Sequence, residues 1–287
     1  MRASAEARIG GATHVVGIVG WPVDHSLSPA IHNAAFAAAG LDWVYVPLPV
    51  PPQELRDALA GLAALGLRGV NITMPHKTEA ADLIEGLSED ARLLRAVNTV
   101  VIHGDDVQGE NTDAPGFDRF LRRDAGFDPE GRTALIYGSG GAARACALAL
   151  ARAGVAQLTV AARDEARAAP LVAMVEALNV PVTLVRPGDV GGLALDLVVD
   201  ATPVGGPGAE AVQPSLPLLG AGVLVVDLLY DPPATALLQR AKEAGAMALG
   251  GLGHLLEQAA LSFELWTGTP APLDVMSAAA LAVLAER

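Results

Sequence analysis

The chain is poor in cysteine, in lysine and in long apolar runs, and each scarcity excludes something. With Cys146 alone among 287 residues there is no disulfide framework, and a reducing compartment is the natural setting. No uninterrupted apolar stretch is long enough to span a bilayer. The early apolar run at 14–19 is broken by Gly17 and leads into Gly20-Trp21-Pro22-Val23-Asp24. A secretory signal needs a longer apolar core and a small-residue cleavage site, so this run is read as a first β-strand behind a frayed leader, residues 1–8, of a cytoplasmic protein. Positive charge is also short. The formal net charge of −13 argues against sequence-independent binding to nucleic acid or an anionic membrane. An anionic ligand must be met by local basic groups.

What the chain does have is apolar surface. Hydrophobic residues make up 52% and charged residues 18%, enough to bury two cores in a chain of this length. Of the basic residues 17 are arginines and two are lysines, Lys77 and Lys242. Codon bias accounts for the arginine excess but not for which two sites escaped it.

Strands and helices alternate almost throughout. Apolar runs at 14–19, 43–48, 69–73 and 97–102 predict strands. Between them a helix is expected from Pro29 to a stop at Gly40, and another from Pro52 to a stop at Gly66. A second series opens near Arg132, with a strand at 133–137, a helix at 141–153, a strand at 157–162, a helix at 164–179 and a strand at 181–185. Further strands are expected at 196–200, 223–227 and 246–249, a helix at 233–244, and helical structure from Gly253 onward, interrupted around 268–272. This is βαβ patterning and implies mostly parallel sheets covered by helices, an α/β fold of two domains. The boundary is placed at residue 115, with 116–252 as the second domain.

The segment 133–153 is strand, glycine turn and helix. Gly138, Gly140 and Ala143 occupy the three positions of G-x-G-x-x-G/A within Gly138-Ser139-Gly140-Gly141-Ala142-Ala143. The first glycine allows a tight turn, the second lets the backbone approach a pyrophosphate, and the small third residue lets helix and strand pack closely. The alternative is a purely structural turn, against which stand the apolar strand and long helix on either side. A site for NAD would place a carboxylate at the end of the second strand. Here the chain reads Ala161-Ala162-Arg163-Asp164. Arg163, with Arg167 and Arg144, can pair with a 2′-phosphate, which favours NADP. Equally, Arg163 can be a solvated charge and Asp164 a helix N-cap.

In the first half, polar residues cluster where strands end: Ser26 and Ser28, Asn71 and Thr73, Lys77, Asn98 and Asp113. Ligands of open α/β sheets bind outside those carboxyl ends, and this set suits a small polyhydroxylated acid. Each residue has a plainer role open to it, since Ser28 and Asp113 are good helix caps and Asn98 can satisfy a turn. His25, His32 and His76 lack cysteine partners and metal-ligand spacing, so no metal is expected. Lys77 stands out. An amine can release its proton near neutral pH when desolvated, whereas a guanidinium cannot, and hydride transfer between alcohol and ketone needs one proton moved at the oxygen.

These residues lie in segments that resemble the shikimate dehydrogenase family. His25-Ser26-Leu27-Ser28-Pro29-Ala30-Ile31-His32-Asn33 is similar to its HSxSPxxHN segment, and Asn71-Ile72-Thr73-Met74-Pro75-His76-Lys77 to its NVTxPHK. Ala96-Val97-Asn98-Thr99 and Asn111-Thr112-Asp113 match AVNT and NTD. Gly251-Leu252-Gly253 with Gln258, and then Phe263-Glu264-Leu265-Trp266-Thr267-Gly268, match the closing motifs. The resemblance implies NADPH-linked, reversible reduction of 3-dehydroshikimate to shikimate, the stage before chorismate formation. It implies an N-terminal substrate domain, a Rossmann-type NADP domain, and C-terminal helices (253–287) that return to the first. By the same resemblance Ser26 and Ser28 hold the substrate carboxylate. Asn71, Thr73, Lys77, Asn98, Asp113, Tyr230 and Gln258 surround its ring, with Lys77 and Asp113 as the catalytic pair. Gly138, Ser139, Gly140, Gly141, Ala142, Arg163, Thr202 and Gly251 bind the cofactor.

The chain departs from the family at Ala162 and Asp164, at Gly206 where a methionine borders the cofactor, and at His254, four residues before Gln258. The alternatives are a broader quinate/shikimate or aminoshikimate dehydrogenase and a catalytically silent paralogue. A methylenetetrahydrofolate-dehydrogenase-like enzyme would not explain the paired serines. A monomer or homodimer acting on a small molecule, without nucleic acid or membrane, is expected.

Overall fold

The computed structural model describes residues 9–205 and 215–287. The expected leader and Gly206 lie outside the described residues. The chain forms two compact units, Met1–Thr112 with Gln258–Arg287, and Asp113–Glu257.

In the first unit β1 (His14–Gly20) is buried over its last five residues. Helix α1 (Ser28–Ala39) carries Pro29 in its first turn, where a missing N–H costs nothing, and ends at Gly40 in the left-handed region, φ 66°. Strand β2 (Trp43–Pro49) follows at the sheet edge. Asn33 of α1 clamps it, since its Nδ2 donates to the Tyr45 carbonyl at 2.9 Å and its Oδ1 accepts the Tyr45 N–H at 2.8 Å. This covers edge groups that would otherwise invite another strand. The helix expected from Pro52 opens as a 3-10 turn, Pro52–Glu54, before α2 (Leu55–Ala64).

Strand β3 (Gly69–Ile72) is buried at all four residues. Then come α3 (Lys77–Leu83), β4 (Gly86–Leu87), α4 (Glu89–Leu94), β5 (Thr99–His103) and β6 (Asp106–Glu110). The sheet order is β2-β1-β3-β5-β6-β4. Strands β1, β2 and β3 pair in parallel, and β5 runs antiparallel to both β3 and β6. The strand expected at 97–102 begins at Thr99, because the Val97 N–H bonds back to the Lys77 carbonyl at 2.9 Å. Asn98 therefore precedes β5 rather than opening it.

The second unit begins with α5 (Asp113–Arg123) and runs β7 (Thr133–Tyr137), α6 (Gly141–Arg152), β8 (Gln157–Ala161), α7 (Glu165–Ala177), β9 (Val182–Val185), β10 (Leu197–Asp200), β11 (Leu224–Asp227), α8 (Ala236–Glu243) and β12 (Met247–Gly250). All its strand pairs are parallel, in the order β9-β8-β7-β10-β11-β12. Counted from β7 this is 3-2-1-4-5-6, the doubly wound order, whose switch point falls between β7 and β10. The central strands read as unbroken apolar runs because helices cover both faces. Leu135, Val198 and Val225 pack under Leu237 and Ala241 of α8.

Helix α9 (Leu252–Thr267) ends the second unit at Glu257 and continues into the first from Gln258, followed by α10 (Leu273–Ala285), which packs on α1. No described helix is long and apolar enough to cross a membrane.

Candidate active site

In the second unit a cavity of about 550 Å³ opens at the switch point. Gly138, Ser139 and Gly140 line one side, Arg163 and Arg167 another, and Ala201, Thr202, Pro203 and Val204 a third. Gly138 has φ 105°, a conformation that side-chain-bearing residues rarely adopt, and a Cβ there would lie 3.3 Å from both Ala201 O and Thr202 Cγ2. At Gly140 and Gly141 a Cβ would meet nothing within 4 Å. The backbone there is bare toward open space, and no side chain caps the start of α6. Unsatisfied N–H groups at a helix start attract phosphate, and two exposed arginines stand at the same cavity. These residues fit a dinucleotide.

Asp164 caps α7, its carboxylate accepting the Arg167 N–H at 3.0 Å. Of the other expected cofactor residues, Gly141 and Ala142 sit on the exposed first turn of α6, outside that lining; half-buried Arg144 lies outside it too. Gly251 is buried for a packing reason, since a Cβ would come 2.0 Å from the Leu228 carbonyl oxygen. Tyr230 is half-buried in the segment after β11.

In the first unit two of the polar residues expected at the strand ends, Asn71 and Asn98, meet in one largely buried network that Gln258 joins. The Asn71 side chain, on β3, accepts the Tyr45 hydroxyl at 2.8 Å. Its Nδ2 donates toward the Asn98 carbonyl (3.2 Å), Thr99 Oγ1 (3.1 Å) and Ser262 Oγ (3.0 Å). Asn98 Oδ1 accepts the Thr112 N–H at 2.8 Å, and its Nδ2 donates to Thr112 Oγ1 at 2.9 Å and to Gln258 Oε1 at 3.4 Å. Ser262 lies one turn after Gln258 on α9 and donates to its carbonyl at 3.1 Å. Three stretches distant in sequence are thus held together by hydrogen bonds, most of them buried from solvent.

The two serines sit beside this network. Ser26 Oγ accepts the Ser28 N–H at 3.2 Å, and buried Ser28 hydrogen-bonds the Tyr45 phenol. Burial pushes that phenol well above the usual range, so it remains a neutral donor. Behind it His32 is fully buried and stacks on the Tyr45 ring, 4.5 Å between centroids at 3°. Burial pulls its imidazole down to about 3, so the ring is neutral and serves as packing. The chain just ahead of the first motif segment of this half touches the second through backbone. The Thr73 N–H bonds to Val19 O at 2.9 Å and the Trp21 N–H to Met74 O at 3.1 Å. Gly20 permits this, since a Cβ there would lie 2.3 Å from Thr73 Cγ2.

Lys77 is the first residue of α3, half-buried, after His76 at the N-cap. His76 is fixed by a 2.7 Å bond to the Val50 carbonyl. Asp113 opens α5 in the second unit, immediately after Thr112, and is buried. His254, on α9, donates from Nε2 to the Asp113 carbonyl oxygen at 3.0 Å and meets Phe117 edge-on. Cys146 is buried in α6, its thiol pushed well above the usual range by burial and by the Asp113 charge. Among the described residues no group of three His, Cys, Asp or Glu side chains could hold a metal ion.

Sequence reasoning missed Tyr45, Ser262 and the network role of Thr99 and Thr112. Ser262 carried a readable signal, standing at i+4 from Gln258 on one helix face. Tyr45 carried none, being one of two aromatics in an apolar strand.

A doubly wound dinucleotide fold with its cavity at the switch point, joined in one chain to an α/β unit rich in buried hydroxyls and amides, defines a pyridine-nucleotide-dependent oxidoreductase. Residues 18–100 match the model of the shikimate dehydrogenase substrate binding domain, and residues 251–281 that of the shikimate 5'-dehydrogenase C-terminal domain. A shikimate dehydrogenase (NADP(+)) of Methanopyrus kandleri is 44% identical over 285 residues, covering 97% of this chain and 98% of that protein. A crystal structure of shikimate dehydrogenase in complex with NADP+ superposes with a TM-score of 0.89 at 36% identity, covering 96% of this chain and 97% of the other. Quinate dehydrogenase from Corynebacterium glutamicum in complex with NAD superposes at 0.87 with 32% identity, over 94% of this chain and 99% of the other. The chain belongs to the shikimate dehydrogenase family.

Proposed function

We propose that this chain is an NADP-dependent shikimate dehydrogenase that interconverts 3-dehydroshikimate and shikimate on the route to chorismate. The observation that carries the reading is the buried network Asn71–Asn98–Gln258, which gathers amides and hydroxyls from three motif segments beside the paired serines. Ser26 and Ser28 bind the substrate carboxylate. Asn71, Thr73, Asn98, Tyr230 and Gln258 read its ring and hydroxyls. The cofactor, when bound, supplies or accepts the hydride. Lys77 exchanges the proton at the reacting oxygen, with Asp113 as the second member of the catalytic pair. The glycine turn 138–142 cradles the diphosphate, with Thr202 and Gly251 completing the cofactor set. The substrate domain is 1–115 with 253–287, and the cofactor domain 116–252. The lone, buried Cys146 suits a cytoplasmic enzyme, acting as monomer or homodimer.

Initial rates with shikimate and with quinate, each against NADP+ and NAD+, test this directly. The expected result is the highest kcat/KM with shikimate and NADP+. Comparable or better rates with quinate would transfer the chain to the broader quinate/shikimate class, and no turnover with either would make it a silent paralogue.

Cofactor choice rests on Arg163, exposed at the cavity with Arg167. A bond to a charged group is worth about 1.5–3 kcal/mol, so Arg163→Ala is expected to raise the KM for NADP+ roughly tenfold to a hundredfold. NAD+, which has no 2′-phosphate, should be nearly unaffected. An equal loss for both nucleotides would remove Arg163 from 2′-phosphate recognition.

A further inference from the structure

We propose that Asp200 positions the Thr202 wall of the dinucleotide cavity and takes up a proton from solvent when the cofactor binds, an inference that rests on reading that cavity as the cofactor site. Asp200 is the last residue of β10 and is 2% exposed. One carboxylate oxygen accepts both the Thr202 N–H at 2.9 Å and the Thr202 hydroxyl at 2.7 Å. Thr202 Oγ in turn accepts the Val204 N–H at 3.3 Å. A single buried carboxyl therefore shapes the turn 201–204, all four residues of which line the cavity. The same turn packs on Gly138 of the glycine loop, so its position sets the width of the cavity at the diphosphate end.

The surroundings of this carboxyl disfavour charge. In register with it stand Asp227, at the end of β11, and Tyr137, at the end of β7. Asp227 repels its ionised form, and Tyr137 lies beside Arg240 of α8. Burial, with that neighbouring carboxylate, pushes the Asp200 carboxyl up to about 6 despite the two Thr202 donors, which favour the ionised form. Asp227 is itself pushed up by burial, against the hydroxyl of Thr235 and the N–H of Leu229.

A dinucleotide brings phosphate charge and excludes water one residue away, and both effects raise a carboxylic acid further. By linkage, a group protonated more fully in the complex makes binding tighter below its shifted midpoint and weaker above it. The neutral acid keeps a carbonyl oxygen for the two Thr202 donors, so the turn holds its shape while the charge disappears. One pH unit of upward shift on binding corresponds to about a tenfold change in Kd across the titration.

The test is calorimetric titration of the full-length protein with NADP+ and with NAD+ between about pH 5.5 and about pH 8, in buffers of differing ionisation heat. NAD+ is needed because the 2′-phosphate of NADP+ itself titrates near about pH 6. The wild type is expected to take up a fraction of a proton on binding either nucleotide, with Kd weakening about tenfold over that range. Asp200→Asn retains an acceptor for Thr202 and should bind NAD+ with a flat pH profile. For NADP+ its proton uptake should fall by the amount lost for NAD+. If the asparagine variant does not fold, Asp227→Asn removes the repelling charge and should move the wild-type slope to lower pH. The same pH profile, in slope and position, in wild type and variant, or no uptake with NAD+, would overturn the assignment of Asp200 alone. Failure of the wild type to bind either nucleotide would overturn the cofactor site and this inference together.

Discussion

Replacing Lys77 by alanine is expected to lower kcat by about a thousandfold while the KM for shikimate changes only a few-fold, within the range that positioned proton transfer contributes. The lysine stands where β3 hands over to α3, and its backbone carbonyl is held by the Val97 N–H. Its placement therefore follows from buried structure that truncating the side chain leaves intact. Lys77→Arg is the sharper variant. It keeps the positive charge but cannot release a proton near neutral pH, so it should remain close to the alanine variant in kcat. Steady-state kinetics in both directions, with NADP+ titrated by calorimetry to show that binding survives, would measure this. A matching fall in kcat and kcat/KM is the mark of an interaction made only in the transition state. Near-normal kcat in either variant would remove the lysine from the chemistry.

The second large effect is on stability. Gly69→Ala should lower stability by about 3–5 kcal/mol, from overpacking together with a strained or broken buried hydrogen bond. An added Cβ would lie 2.2 Å from Trp266 Nε1 and 2.3 Å from the Val100 carbonyl oxygen. These are the two partners of the 2.9 Å bond that docks α9 against β5. Neither can yield cheaply, because the oxygen is backbone and Trp266 is buried against His32 and Tyr45. At roughly 2–4 °C per kcal/mol for a chain of this size, Tm should fall by about 6–20 °C. The same helix carries Gln258 and Ser262, so substrate KM should rise in any fraction that folds. In a Trp266→Leu background the indole clash is gone, and the alanine should cost less. A Tm within about a degree of wild type would show that α9 is not locked at this point.

Much of the second unit is legible in the sequence alone. The strand at 133–137, the glycine turn and the helix after it are local features, written in consecutive residues by apolar runs and turn glycines. Asp164 was readable as a cap, because capping is a contact between neighbours in sequence. Between Lys77 and Glu110 legibility failed for α3, β4, α4 and β6. These elements are two to seven residues long, too short for either hydrophobic period to register. They exist because β5 pairs with β6 and β6 with β4, while Ala80 of α3 and Ala91 of α4 join the core of Ile72 and Val100.

The lone cysteine is a buried thiol held protonated, and one of the two lysines begins α3, a few residues beyond β3. By itself the sequence determined the alternation of strands and helices, the glycine turn, and which residue types could do chemistry, since these depend on neighbours along the chain. Only the tertiary structure decided that Asn71 reaches Tyr45, Thr99 and Ser262, that Gly251 is small for Leu228, and that Asp200 stands in register with Asp227. Those facts depend on which strands lie side by side and which buried groups lose water together. No local pattern encodes such a pairing, because its free energy belongs to two distant segments at once.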